Sequence, residues 1–193
     1  FLTRVPDLTD HSPHLLSAID EILETWFEEK RLPRFRSEQV RKWLFQQRVA
    51  DWEQMSNLPK TLRAELATSM RLWTTQIKCH TQADDGTEKL LLQLSDGGQI
   101  ECVLLRDRIR RTICISTQVG CGMGCVFCAS GLDGVERNLT TGEIVEQILR
   151  LQILLDDDER LSHVVVMGMG EPLANLDALL PALSEVHRPY GLD

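Results

Sequence analysis

The chain has 193 residues, 42% of them hydrophobic and 26% charged, with 21 Lys and Arg against 29 Asp and Glu for a net charge of −8. That composition suits a globular protein with a sizeable core, and the acidic balance argues against broad, charge-driven nucleic-acid binding. No run of about eighteen apolar residues is present, so no membrane partner is expected. No secretory leader is visible, and six cysteines with three in one cluster fit a reducing compartment, so a cytoplasmic location is expected.

Residues 1–13 contain two prolines and no clear period, which predicts an irregular lead-in. From His14 to Glu29 the apolar positions Leu15, Leu16, Ile19, Ile22, Leu23, Trp26 and Phe27 predict an amphipathic helix. Pro33 ends it, Ser37 is expected to cap a second helix with Val40, Trp43 and Leu44 inward, and Lys60 to Leu72 predicts a third. Residues 1–73 therefore read as a small N-terminal helical domain. Its stretch from Lys30 to Arg48 is basic, and Arg106, Arg108, Arg110 and Arg111 form a second basic group. Either could grip a phosphate backbone, and either could be a solvated face.

The texture then changes. Residues 74–81, 88–94 and 99–105 predict a three-stranded antiparallel meander, with Asp84-Asp85-Gly86 and Asp96-Gly97-Gly98 as its turns. This connector covers 74–110. From 111 onward the order is strand (111–116), loop, helix (141–155), strand (161–167), loop, helix (176–187). The unbroken Val164-Val165-Val166 predicts a parallel strand covered on both faces. Alternating β and α units predict an α/β fold with ligand sites at the carboxyl ends of its strands.

Two loops lie at such ends. Cys121-Gly122-Met123-Gly124-Cys125-Val126-Phe127-Cys128 places three cysteines at C-x3-C-x2-C spacing. Thiolates hold iron–sulfur clusters, and three ligands on a four-iron cluster leave one iron open to a small molecule. A structural zinc would need a fourth ligand, and the nearest further cysteine is Cys114. The second loop, Gly168-Met169-Gly170-Glu171-Pro172, exposes backbone groups beside a carboxylate; equally, it could be a tight turn into a helix started by proline.

The cysteine spacing with Phe127 at the aromatic position resembles the cluster motif of radical S-adenosylmethionine (SAM) enzymes. With Gly-Met-Gly-Glu-Pro-Leu, Arg36-x-x-Gln39-Val40-x-Lys42-Trp43 and Gln118-Val119-Gly120-Cys121, the chain resembles the dual-specificity adenosine methyltransferases of ribosomal and transfer RNA, usually called RlmN, and their relative Cfr. The resemblance runs from about residue 14 to the end. It implies that 111–193 begin a partial (β/α)6 radical SAM barrel.

It also implies roles. Cys121, Cys125 and Cys128 would hold a 4Fe–4S cluster, and Phe127, Gly170 and Glu171 would contact S-adenosyl-L-methionine. In the family SAM is cleaved to a 5′-deoxyadenosyl radical, and a methyl carried on a C-terminal cysteine is transferred to adenine. Glu101 matches the proton acceptor. Cys114 matches the cysteine that closes a disulfide with the methyl-carrying one. Without the family, Glu101 reads as an edge-strand charge, and Cys114, Cys79 and Cys102 as small core residues. Implied partners are 23S ribosomal RNA, transfer RNA and an electron donor such as flavodoxin or ferredoxin, with the protein a monomer.

No cysteine follows Cys128, so the methyl-carrying residue is absent. The chain is therefore expected to be a fragment, inactive alone, of a parent that methylates carbon 2 of adenosine. Alternatives are carbon 8 methylation as in Cfr, a radical SAM enzyme of another reaction type, and a non-catalytic iron–sulfur or RNA-binding module.

Overall fold

The computed structural model describes residues 12–192. All but the last two residues of the expected lead-in lie outside that range. The helical layer contains α1 (Ile19–Glu29), α2 (Phe35–Phe45) and α3 (Lys60–Ser69). The first predicted helix is divided: a 3-10 turn at Leu15–Ser17 precedes α1, and Ala18 between them is extended at φ −162°. The division lets His14 and Arg71 form a bridge, with Leu15 N–H donating to Arg71 O at 2.9 Å. The same bridge ends α3 before Met70, where helix was expected to run on to Leu72. Ser37 is not a cap. α2 starts two residues earlier, behind Pro33, and the Ser37 hydroxyl donates back to Arg34 O at 2.7 Å.

The strands are β1 (Gln76–Gln82), β2 (Glu88–Gln93), β3 (Gln99–Asp107), β4 (Arg110–Cys114), β5 (Gln118–Gly120), β6 (Val135–Asn138) and β7 (His163–Val165). Five of them form one sheet in the order β1-β2-β3-β4-β7, antiparallel except for the parallel pair β4/β7. The meander and the first βα unit thus share a single sheet. β5 and β6 form a separate ribbon around the cysteine loop that was not expected. β7 lies at the sheet's edge, so Val164 and Val165 are half-buried and not covered on both faces. β1 is the other edge and is exposed throughout, which puts Cys79 on the surface and not in the core. Cys102 is buried, as expected.

α4 (Thr141–Ile153) crosses behind the sheet, and α5 (Leu176–Val186) follows a 3-10 turn at Pro172–Asn175. α4 opens with a capping box: Thr140 Oγ1 accepts from Glu143 N–H at 3.3 Å, and Glu143 Oε2 accepts from Thr140 N–H at 2.8 Å. It buries Ile144, Val145, Ile148, Leu149 and Leu151, each worth roughly 1.5–3 kcal/mol. These side chains join Leu90, Ile100, Leu104 and Ile113 of the sheet and Leu15, Leu23, Val40 and Leu66 of the helical layer in one continuous core.

Much of the expected basic surface is spent internally. Arg41 is buried against Glu185, Arg48 donates to the carbonyls of Leu155, Asp156 and Glu159, and Lys30 and Arg34 pair with Glu65 and Glu28. Arg106 and Arg111 close on Glu159, and Arg106 also pairs with Glu88. Glu159 is therefore the counterpart of Arg106 and Arg111, while Asp156, Asp157 and Asp158 are exposed. Arg36 and Lys42 stay near the surface, stacked on Phe35 and Tyr190 at 4.8 and 4.1 Å from the ring centroids. Arg108 and Arg110 are exposed. Among the described residues no helix is long and apolar enough to cross a membrane.

Candidate cofactor site

Beyond β4 the chain enters a buried polar stretch, Ser116, Thr117 and Gln118. Buried polar groups need partners, and the loop after β7 supplies them. Ser116 Oγ accepts from Met169 N–H at 2.8 Å and donates to Glu101 O at 2.6 Å. The N–H groups of Thr117 and Gln118 both reach Met169 O, at 2.8 and 3.3 Å. Gln118 Oε1 accepts from Glu171 N–H at 2.9 Å, and its Nε2 donates to Asn138 Oδ1 at 2.7 Å. Gln147 of α4 brackets Ser116 from behind, accepting from its N–H at 2.8 Å and donating to its carbonyl at 3.0 Å. Asn175 Nδ2 donates to the carbonyls of Thr117 and Leu139. The glycine loop is thereby stitched to the segment that runs directly into Cys121.

Close contact explains the glycine at 170. Its φ is +101°, and an added Cβ would sit 2.7 Å from both Gln118 N and Gln118 Cβ. Glu171 is half-buried, and its Oε1 accepts from Leu173 N–H at 3.1 Å, capping the turn at Pro172–Asn175.

The cysteine loop is held at its base and open at its tip. Cys121 N–H donates to Gly134 O at 2.9 Å across the β5/β6 ribbon, and Cys128 N–H donates to Cys125 O at 3.0 Å. Cys121 and Cys128 are half-buried, Cys125 is exposed, and all three are free thiols. Phe127 is 90% exposed. Among the described residues no three His, Cys, Asp or Glu side chains converge as around a metal ion. The donor set still fits an iron–sulfur cluster, being three thiols on one loop with no carboxylate or imidazole among them. At the tip of the loop a Cβ added at Gly124 would meet nothing within 4 Å.

Glu101 and Cys114 occupy the sheet face opposite α4. Cys114 pairs with Val103 and Glu101 with Leu91, so the two are diagonal neighbours on β3 and β4. Glu101 Oε1 lies 2.9 Å from Lys89 Nζ. Burial pushes the Cys114 thiol above its ordinary range, partly offset by a hydrogen bond from the Met167 backbone. Cys102, on the covered face, is pushed up by burial to about 12. All six cysteines are free, so the expected disulfide finds no partner among them.

Residues 14–72 match the family model described as the ribosomal RNA large subunit methyltransferase N-terminal domain. A protein of Rhodopirellula baltica named probable dual-specificity RNA methyltransferase RlmN is 54% identical over 179 residues, covering 93% of this chain and 48% of that one. A Geobacillus kaustophilus protein of the same name is 44% identical over 182 residues, 94% and 50% of the two chains. The crystal structure of a radical SAM methyltransferase from Sphaerobacter thermophilus superposes with a TM-score of 0.87 at 39% identity, covering 93% of this chain and 53% of that one.

Over nearly its whole length the chain is similar to proteins named RlmN. It spans about half the length of the curated RlmN relatives it matches. The family-model match ends between α3 and β1, and so covers the helical layer and leaves the sheet and both loops outside it. Ser116, Gln118, Gln147 and Asn175, which join those two loops, were not singled out from sequence as site residues. Ser116 and Gln118 carried one signal, a run of polar residues directly after Ile113-Cys114-Ile115, whereas Gln147 within α4 and Asn175 after Pro172 carried none.

Proposed function

We propose that this chain supplies the RNA-facing helices and the cluster- and SAM-binding loops of a radical SAM enzyme that methylates carbon 2 of adenosine in 23S ribosomal RNA and transfer RNA. One observation carries the reading: the three-cysteine loop and the Gly168–Glu171 loop are joined through Ser116 and Gln118, next to the sheet face that bears Glu101 and Cys114.

In this reading Cys121, Cys125 and Cys128 hold a 4Fe–4S cluster, and Gly170 and Glu171 bind the amino-acid end of SAM. The bound cluster and SAM together supply one-electron chemistry. The protein's share is position. Gly170 brings backbone to the ligand where a side chain would collide with Gln118. Glu101 is a carboxylate on the open sheet face, able to accept a proton from a base lying across that face. Cys114, beside it, is kept as a thiol by burial. After losing its proton it would form an S–S bond to the methyl-carrying cysteine of the parent protein as that cysteine's bond to the transferred carbon breaks. The carbon keeps the electron pair and takes a proton to become the methyl group on adenine. This chain has no cysteine after Cys128, so alone it would not complete turnover. Arg36, Lys42, Arg108 and Arg110, which stay at or near the surface, would meet RNA phosphates. The protein would act in the cytoplasm as a monomer, with flavodoxin or ferredoxin as its electron source.

The test is anaerobic reconstitution with iron and sulfide, followed by electron paramagnetic resonance of the reduced protein with and without SAM. A 4Fe–4S signal that changes on adding SAM supports the reading. Zinc bound with no iron overturns it.

A further inference from the structure

Ser116 and Gln118 lie outside the three-cysteine loop and the Gly168–Glu171 loop, although Gln118 opens the Gln118-Val119-Gly120-Cys121 string, and neither has a role in the reaction outlined above. Both are almost fully buried, and both spend side-chain polar atoms on the backbone of the other loop. Ser116 Oγ takes the Met169 N–H and gives its own proton to the carbonyl of Glu101. One hydroxyl thus joins the glycine loop to the strand that carries the proposed proton acceptor. Gln118 Oε1 takes the Glu171 N–H while its Nε2 is fixed by Asn138, so the amide cannot rotate without breaking two bonds. Gln118 also forms the wall against which Gly170 lies.

A core serine or glutamine could be there only to fill space. Geometry argues otherwise, because Gln147 already satisfies the Ser116 backbone from the other side, leaving the hydroxyl for the loop. Apolar residues would fill the same volume without the cost of burying a hydroxyl and an amide.

We infer that Ser116 and Gln118 are positioning residues that set the backbone of residues 169–171 to receive the amino-acid end of SAM. The inference rests on the SAM-binding reading above. It assigns to two side chains outside both loops the task of coupling the cluster loop, the SAM loop and the Glu101 strand.

The experiment uses the reconstituted 193-residue chain and four variants, Ser116→Ala, Ser116→Thr, Gln118→Leu and Gln118→Glu. Two readouts are taken: amide hydrogen exchange at Met169 and Glu171 without cofactor, and the SAM concentration giving half the change in the reduced-cluster spectrum. Ser116→Ala and Gln118→Leu should speed exchange at Met169 and Glu171 respectively. They should raise the SAM midpoint roughly five- to tenfold, the effect of losing one hydrogen bond. Cluster content should not change. Ser116→Thr and Gln118→Glu retain the acceptor oxygen and should restore both readouts at least in part. If the wild-type cluster ignores SAM, the underlying reading fails and this inference with it. If the wild type responds and Ser116→Ala and Gln118→Leu match its midpoint despite faster exchange, the residues only pack and the inference alone is overturned.

Discussion

Arg41 of α2 and Glu185 of α5, 144 positions apart, meet in the interior: Arg41 donates to the Glu185 carboxylate and, at 2.8 Å, to its main-chain carbonyl. Their side chains are only 4% and 7% exposed. Asp20 and the Pro189 carbonyl complete the shell around the guanidinium. This contact fixes the helical layer to the βα units. Removing one member of a buried pair strands the other, so Arg41→Met should cost about 3–5 kcal/mol in urea unfolding. Arg41→Met with Glu185→Met should cost less than the single change, because no unpaired charge remains. A single variant within about 1 kcal/mol of wild type would show that the pair is not holding the layers together.

Acid should weaken the junction between the helices and the sheet. Glu146 is fully buried. Burial pushes its carboxyl up, but Arg150, His14 and the hydroxyl and N–H groups of Thr74 and Thr75 outweigh this and leave it below the ordinary range. His14 Nε2 stands 3.4 Å from Glu146 Oε2 without a hydrogen bond, and burial holds the imidazole below its ordinary value despite the pull of Glu146. Both groups then carry fewer protons folded than unfolded. The stability from His14 is complete above about pH 6.5 and falls as pH drops below that. That from Glu146 is complete above about pH 4.3 and is lost at lower pH. Urea midpoints should therefore fall in two stages on acidification. His14→Gln should flatten the upper stage and, by removing one of the charges that hold Glu146 down, also shrink the lower one. An unchanged upper stage in that variant would assign it to another group.

How legible all this was depends on how local each cause is. Helix α4 was readable to within two residues because its period and its Thr140–Glu143 capping box are sequence-local. The two loops were readable because glycines and cysteines at fixed spacing have few other uses. Arg41 was not. Its neighbours in sequence make a basic run, and only the fold brings Glu185 to it, so a charge that looked like surface lies in the core. The same holds for Arg106 and Arg111, whose partner Glu159 is about fifty residues away. Cys79 failed for a related reason: its strand pattern is ordinary, and only the sheet order makes β1 an edge. Gln118 was seen as part of a motif string, but its bond to Glu171 is a contact between loops and leaves no periodic trace.

Lys89 and Glu101 make a different sort of pair, about half exposed on each side. The hydrogen bond that Lys89 donates to the Glu101 carboxylate holds its ammonium above its ordinary value. Stability from such a raised amine is present below the unfolded pKa and vanishes as pH climbs through the folded one. Solvent screening keeps it small. Glu101→Gln should bring the Lys89 titration, followed by NMR at its side-chain carbon, back toward the free-lysine value without lowering the melting temperature noticeably. An unmoved titration would mean the pair is broken in solution.

Cys125 is exposed and bonded through its carbonyl only to Cys128 N–H, so its side chain contributes nothing to the core. Cys125→Ala should leave urea unfolding within about 0.5 kcal/mol of wild type. On anaerobic reconstitution it should lose the cluster's visible absorbance. Full absorbance in the variant would remove Cys125 from the ligand set.

Gly124 and Gly170 both have positive φ, at +63° and +101°, yet they should respond differently to alanine. At Gly124 the new Cβ points into open space, and the only cost is the left-handed backbone, about 1–2 kcal/mol. At Gly170 the backbone strain is joined by collision with Gln118 N and Cβ at 2.7 Å. Backbone atoms cannot step aside as a flexible side chain can, so the loop must lift from Gln118 and give up the Glu171 N–H bond. Gly170→Ala should therefore be the more destabilising, by about 1–3 kcal/mol. It should also expose the Glu171 amide to hydrogen exchange, whereas Gly124→Ala should leave that amide protected. Equal protection of Glu171 in both variants would mean that the loop absorbs a side chain at 170 without leaving Gln118.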